Sequence, residues 1–395
     1  MRPRVSQSDL TFYEFFAGGG MARAGLGDAW NCTFANDFSR TKAISYVANW
    51  GDDDFVLADI ANISLAQLPG QASLAWASFP CQDLSLAGQY AGLGKDGSDV
   101  PTRSGTFWHF WSLIKRLGLE ARAPKTIVLE NVFGALTSRG GADFVAISNA
   151  LAEGGYVFGA VVIDAADFVP QSRQRVFFIA VQEDQVIPNS LCSTTFNGWH
   201  PSALRKAHAQ LSGKASKQWL WWNLPQPAIR SLQLAEIIED SPSDVHWHSD
   251  TETEHLLSMM TPLNLQKVKA ATKQSQKTVG TIYRRTRPDK NGLKQQRAEV
   301  RFDGVAGCLR TPGGGSSRQT IIVVTGKKIR SRLLSGREAA RLMGLPDSYK
   351  IPSRYNEAYH LAGDGVCVDV VRFLARNLLG PLTKSVTGSI SLAAE

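Results

Sequence analysis

The chain has 395 residues, 43% hydrophobic and 20% charged, with a formal net charge of +8 and five cysteines. That length exceeds one ordinary compact domain, and the composition excludes a disordered or collagen-like chain. No apolar run reaches the ~18 residues of a membrane span, and Met1–Leu10 is too polar for a secretory leader.

Cys32, Cys81, Cys192, Cys308 and Cys367 contain no CxxC pair, and their number is odd. This argues against a disulfide framework or a zinc site, and for a reducing compartment. Four of them read as small buried hydrophobes. His246 and His248 have no partners at metal-ligand spacing, so no metal is expected.

In chain order, apolar runs rich in β-branched and aromatic residues alternate with helical patterns through the first half. The predicted strands are Thr11–Phe16, Cys32–Ala35, Phe55–Leu57, Ala72–Phe79, Thr126–Leu129, Gly155–Asp164 and Arg175–Val181. Helices are predicted at Met21–Gly27, Arg40–Asn49, Gly105–Leu119 and Ala142–Glu153. The third carries Phe107, Phe110, Trp111, Ile114 and Leu117 as one core-facing stripe. Such alternation predicts an α/β domain with a doubly wound, mostly parallel sheet.

Beyond Val181 the rhythm is lost. Ile187 to Gly326 reads as a second, smaller and irregular lobe, in which Trp221 and Trp222 are expected to be core. Between Lys267 and Arg301, eleven Lys/Arg stand against Asp289 and Glu299, which accounts for the whole excess of positive charge. A charge run alone is most simply a solvated face. The alternative is a surface for phosphates, because cations placed on a polyanion release its counterions. The Gly/Ser stretch from Gly313 reads as a loop or hinge, and helical periodicity returns at Ser335–Met343 and Val366–Leu379.

Four stretches carry chemistry. Phe15–Gly27, FFAGGGMARAGLG, follows the first strand and opens a helix, so its glycines let a ligand approach the backbone. Asp37, at the next strand end, is placed to bind ribose hydroxyls. Phe38 is placed to cover an adenine ring, and Asp59 to accept from the adenine amino group. The spacing is not GxGxxG, so an adenosine-bearing ligand other than a nicotinamide dinucleotide fits better. Cys81, in SFPCQDLS, lies just past the fourth strand, on the edge where open α/β sheets bind ligands. A free thiol has a pKa of ~8.5, so a nucleophile there needs help from its surroundings. No histidine sits in a cysteine-hydrolase signature. Glu130 and Asn131, in LENV, end the next strand. Arg173 and Arg175, in QSRQR, lead into a strand with alternating spacing, which fits either an anionic or carbonyl partner or a salt-bridged edge.

Taken together and in order, FAGGG, ND, SFPCQDLS, LENV, QSRQR, SGREAARLMGLPDSY and LAGDGVCVDVV resemble the DNA cytosine-5 methyltransferases of bacterial restriction–modification type. The resemblance covers Thr11–Val181 and Arg332–Leu379. It implies a class I S-adenosylmethionine-dependent methyltransferase fold, with residues 1–185 as catalytic and cofactor-binding domain and 186–355 as target-recognition domain. Residues 356–395 would supply a C-terminal helix returning to the catalytic domain. It implies Cys81 as nucleophile toward cytosine C6, Glu130 on N3 and the amino group, Arg175 on O2, and Arg173 beside the thiol or a phosphate. S-adenosylmethionine would be held by Phe16, Ala17, Gly18, Gly20, Asp37, Phe38, Asp59, Ile60 and Asp364. Gln82 and Ser85 would contact double-stranded DNA from a glycine-rich lid, Asp83–Arg103, as would Arg284, Arg285 and Arg287 from the second lobe. The cytosine would be flipped out of the duplex. The chain departs from the family at Met21, where a second adjacent glycine is usual, and at Gly363-Asp364-Gly365-Val366, where Gly-Asn-Ser/Ala-Val is usual.

The expected setting is a cytoplasmic, nucleoid-associated monomer, with a cognate restriction endonuclease acting separately and no membrane partner. The alternative is a tRNA cytosine-5 methyltransferase on the same scaffold. That branch carries a Cys-Phe-Thr element where this lobe has Cys192-Ser193-Thr194. An idle DNA-binding regulator would be expected to have lost Cys81, Glu130 or Arg175. An exocyclic-amine methyltransferase would need a Pro-Pro-aromatic tetrapeptide, which the chain lacks.

Overall fold

The apolar run TFYEF forms β1 (Thr11–Phe15), an inner strand of a seven-stranded sheet, with Phe12, Tyr13 and Phe15 wholly buried. The computed structural model describes residues 10–80, 105–288, 292–311 and 318–384. Contacts divide the chain into two units. The first comprises Met1–Ile163, Gln174–Pro227 and Val370–Glu395; the second comprises Asp164–Arg173 and Ala228–Asp369.

In the first unit β1 is followed by α1 (Met21–Leu26), β2 (Asn31–Asp37), α2 (Arg40–Trp50), β3 (Phe55–Leu57) and β4 (Leu74–Ala77). Then come α3 (Thr106–Leu119), β5 (Thr126–Val132), α4 (Ala142–Glu153), β6 (Tyr156–Asp164) and β7 (Gln174–Gln182). The sheet order is β3-β2-β1-β4-β5-β7-β6. Neighbours from β3 to β5 pair in parallel, and β7 runs antiparallel to β5. Parallel strands need crossovers, and the predicted helices supply them. The α3 stripe Phe107, Phe110, Trp111, Ile114 and Leu117 is buried as expected, with Phe110 5.0 Å from Phe15 between ring centroids.

The stretch after β7 adds β8 (Cys192–Ser193), α5 (Ser202–His208), α6 (Gly213–Lys217) and β9 (Trp221–Trp222) to the first unit. Trp222 is core, and its indole N–H donates to the Ile179 carbonyl at 3.2 Å; Trp221 is half-buried. Cys32 and Cys367 are buried hydrophobes as expected, but Cys192 and Cys308 are only half-buried.

The second unit is more regular than its sequence. After α7 (Leu234–Ile237), α8 (Asp250–Ser258) and α9 (Pro262–Ala271) come β10 (Thr278–Pro288), β11 (Lys294–Arg301), β12 (Thr320–Thr325) and β13 (Lys328–Leu333). These make an antiparallel sheet in the order β11-β10-β12-β13. Only its inner parts are apolar: Ile282, Ala298, Val300, Ile322 and Val324 pack with Met260, Val268 and Ala271. The charged outer strands hide the two-residue period from a hydropathy reading. Helices α10 (Gly336–Arg341) and α11 (Tyr355–Asp364) follow. Among the described residues no helix is long and apolar enough to cross a membrane.

One charged pair anchors this unit. Arg332 and Glu338 are both wholly buried, joined by Nη1–Oε2 at 2.8 Å and Nη2–Oε1 at 2.6 Å. Glu338 also accepts from the Ser335 and Glu239 backbone N–H groups at 2.7 Å each, so its charge is fully ligated. Removing one partner of such a pair strands the other in low dielectric. Glu338→Ala is expected to lower stability by about 3–5 kcal/mol, read as a fall in the urea midpoint of the unfolding transition that reports this unit.

Candidate active site

The turn after β1 is built by backbone that only certain residues tolerate. Phe16 and Gly18 both have φ of +56°, and Gly20 has φ of +80°. A Cβ on Gly20 would also stand 2.5 Å from Nε1 of Trp50, so this glycine is required by both conformation and space. Met21 is a buried residue of α1, outside the left-handed part of the turn, so its side chain is accommodated there.

Two acids hold this turn in place. Asp37 is buried at the end of β2, and its two oxygens accept from the backbone N–H groups of Gly18 and Ser39 at 2.8 Å each. Glu14, in β1, accepts from the Arg23 backbone N–H at 3.2 Å. Burial pushes its carboxyl up to about 8, against the lowering effect of the Arg23 amide and guanidinium. The Arg23 guanidinium in turn donates to the Tyr46 hydroxyl at 2.9 Å. Sequence reading missed Glu14, because an acid inside FYEFF looks like ordinary strand alternation.

Beside the turn, Phe38 is 69% exposed, an apolar ring left in solvent at a strand end. Asp59 is exposed and caps a short helix through Oδ1 and the Ala61 N–H at 2.9 Å. Ile60 is buried in the core beneath it, and Ala17 is buried, its N–H donating to Asn36 at 2.8 Å. A fixed backbone turn, an exposed ring and an exposed carboxylate on adjacent strand ends fit an adenosine-bearing cofactor.

Two strands away, the acid at the exit of β5 meets an arginine at the start of β7. Glu130 Oε1 lies 3.1 Å from Arg175 Nε, and both side chains are largely buried. The register pairs Glu130 with Phe177 and Val132 with Arg175, so the two are diagonal neighbours on one face. Next to Glu130, buried Asn131 donates through Nδ2 to the Phe79 carbonyl at 3.1 Å. This ties the end of β5 to the segment that follows β4. Cys81, Gln82, Ser85 and the rest of the lid lie outside the described residues, as do the Gly/Ser stretch and the Arg287 side chain.

The remaining candidates belong to the second unit. Arg173 is buried and donates to the carbonyls of Leu309 at 3.0 Å, Gly363 at 2.9 Å and Gly365 at 2.7 Å. Asp364, exposed at the end of α11, accepts from the Thr311 hydroxyl. Arg284 is half-buried and Arg285 exposed on β10.

The family described as C-5 cytosine-specific DNA methylase matches residues 10–380. The chain belongs to this family. It is a DNA cytosine-5 methyltransferase, and S-adenosylmethionine is its methyl donor. Among its relatives is the type II methyltransferase M.HhaI of Haemophilus parahaemolyticus, 25% identical over 93% of this chain and 94% of that protein. Another is the type II methyltransferase M.HpaII of Haemophilus parainfluenzae, 27% identical over 94% of this chain and 90% of that one. The structure of the Schizosaccharomyces pombe Dnmt2 methyltransferase aligns with a TM-score of 0.56 at 16% identity, covering 94% of this chain and 99% of that one. A putative DNA modification methyltransferase encoded within an Escherichia coli prophage aligns at 0.52 and 15% identity, covering 96% and 99%. These two likenesses establish the class I methyltransferase fold.

The buried carboxyl of this methyltransferase yields a pH test. Glu14 is raised in the fold from an ordinary value of about 4.3 to about 8. Between those values the folded state holds the extra proton, so this group's contribution is present at low pH and is lost as pH rises toward 8. Glu14→Gln keeps the amide-accepting oxygen and cannot ionise. Its melting temperature relative to wild type is therefore expected to rise steadily from pH 5 to pH 8.

Proposed function

We propose that the enzyme methylates C5 of a cytosine flipped out of one specific double-stranded DNA sequence, through a covalent bond between Cys81 and C6, as the modification partner of a type II restriction–modification system. The observation that carries this reading is the Glu130–Arg175 pair at 3.1 Å, beside the Asn131 clasp on the segment leading to Cys81.

Cytosine C5 is a poor nucleophile inside an aromatic ring. The Cys81 thiolate adds to C6, forming the C6–S bond, and the displaced π electrons load onto the N3–O2 side of the ring. Glu130 meets N3 and the amino group and supplies or shares a proton there. Arg175, held by Glu130 and by its Nη1 bond to the Gln174 carbonyl at 2.9 Å, would turn its guanidinium toward O2. C5 then has enamine character. When bound, S-adenosylmethionine supplies an electrophilic sulfonium methyl. After transfer, solvent takes up the C5 proton, the electrons of that C–H bond form the C5–C6 double bond, Cys81 departs as thiolate, and any proton given to N3 returns to Glu130.

The glycine turn, Asp37, Phe38 and Asp59 would hold the cofactor, with Phe38 against the adenine and the Asp37 carboxylate toward the ribose. Asp37 already spends lone pairs on Gly18 and Ser39, so it would orient the turn and the sugar together. Asp364 is a further proposed cofactor residue on the strength of the resemblance alone. That unit, residues 164–173 and 228–369, would select the target, and the protein would work as a cytoplasmic monomer. The likeness to Dnmt2 is one of fold, and Cys192-Ser193-Thr194 in place of a Cys-Phe-Thr element favours DNA over tRNA.

The direct test is bisulfite sequencing of DNA from a host without its own cytosine methylation, expressing wild type or Cys81→Ser. Protected cytosines within one short recurring sequence are expected for the wild type and none for the variant, since an alkoxide is far scarcer than a thiolate at neutral pH. Protection by Cys81→Ser at the wild-type rate would refute the covalent step. Absence of any protected DNA cytosine from a cofactor-binding wild type would remove the DNA reading, and methylated tRNA in the same cells would replace it. Asn131→Leu is expected to lower kcat by about 10- to 100-fold while leaving cofactor affinity unchanged, as measured by single-turnover kinetics and calorimetry.

A further inference from the structure

Resting on the proposed DNA substrate, we infer that the outer half of the β10–β11 ribbon is the arm that reads sequence, with Arg285 and Arg297 as base-contacting residues and Glu299 as the residue that positions Arg285.

The pairing isolates this arm. β12 pairs with β10 only from Thr278 to Ile282, whereas β11 continues alongside β10 from Tyr283 to Pro288. Among the described residues β10 therefore pairs with β11 alone from Tyr283 outward, while β11 is bridged to Met260 at Ala298; outward of that bridge the two strands form a ribbon of the kind that fits the DNA major groove.

Side-chain alternation divides the arm into two faces. One carries Ile282, Ala298 and Val300, which pack with Met260, Val268 and Ala271. Arg284 belongs to this face by register and is half-buried. The other face carries Tyr283, Arg285, Arg297 and Glu299, and there the arginines lie toward the outer end.

On that open face Arg285 stands directly opposite Arg297. Like charges at directly opposed positions destabilise a ribbon. One carboxylate moderates the pair: Glu299 Oε2 lies 3.5 Å from Arg285 Nε, with both side chains nearly half exposed. The contact is made through Nε, which would aim the guanidinium fork along the ribbon face. A guanidinium fork matches guanine O6 and N7, and the repulsion between the two arginines is relieved by an electronegative base edge. A phosphate would relieve it too, so the test separates the two sources.

Full-length wild type and the variants Arg285→Gln, Arg285→Lys, Arg297→Gln, Glu299→Gln and Lys294→Gln would each methylate a random-sequence duplex library, read by bisulfite sequencing. Cofactor binding by calorimetry checks that each is folded. Arg285→Gln and Arg297→Gln are each expected to lose about 5- to 150-fold discrimination at one G·C pair of the wild-type motif. Arg285→Lys, which keeps the charge without the fork, is expected to relax the same pair as Arg285→Gln. Glu299→Gln should relax that pair as well, by a smaller factor. Lys294→Gln, at the exposed outer end, should keep the motif intact with weaker binding and a shallower salt dependence. If both arginine variants keep the wild-type motif and lose activity equally at every sequence, they contact phosphate and the inference is overturned. That outcome leaves the proposed function standing. A wild type that protects no DNA cytosine removes the proposed function, and this inference with it.

Discussion

The site depends on one reversal of strand direction. If β7 ran parallel to β5, its first residues would lie at the opposite edge of the sheet from Glu130. Because it runs antiparallel, the start of β7 lies beside the end of β5, and the diagonal Glu130–Arg175 pair forms on one face. A long arginine side chain spans the diagonal distance between strands, which a short one would not. The acid thus gains an orientation and a counter-charge from a neighbour fixed by the sheet. The Asn131 clasp on Phe79 extends the same edge to β4.

The cofactor-side turn is held by a different balance. Both side-chain oxygens of Asp37 accept from backbone N–H groups, those of Gly18 and Ser39. Glu14 sits deeper and is favoured in its neutral form, with burial outweighing Arg23. One turn is therefore fixed from two sides by acids. Cys32 shows the same influence of depth: burial pushes its thiol up to about 12, which makes it inert where a nucleophile must be ionised.

Much of the first unit was legible in the sequence, because a parallel sheet buries both faces of its strands and writes continuous apolar runs between amphipathic helices. All seven strands and the four helices predicted there are present. Met21 was readable only as a departure, and its place inside α1 shows why the turn accepts it. Glu14 gave no signal, since a single acid in an apolar run carries no mark of depth. Arg173 and Arg175, two residues apart, looked like one functional surface. Their side chains take different partners, Arg173 the carbonyls of Leu309, Gly363 and Gly365, and Arg175 the Glu130 carboxylate and the adjacent Gln174 carbonyl. The sheet of the second unit was illegible because its β10–β11 strands place Arg, Lys and Gln where a half-buried strand would place apolar residues.

The ribbon's self-contained pairing sets how this protein can diversify. Beyond the Met260–Ala298 bridge, β10 and β11 pair only with each other among the described residues, so residues can be added at the outer end without disturbing β12 or β13. Residues added equally to both strands at the outer end would lengthen the arm while the anchored inner residues keep their register and their faces. Length changes in this arm can therefore alter target choice while leaving the catalytic sheet unaltered.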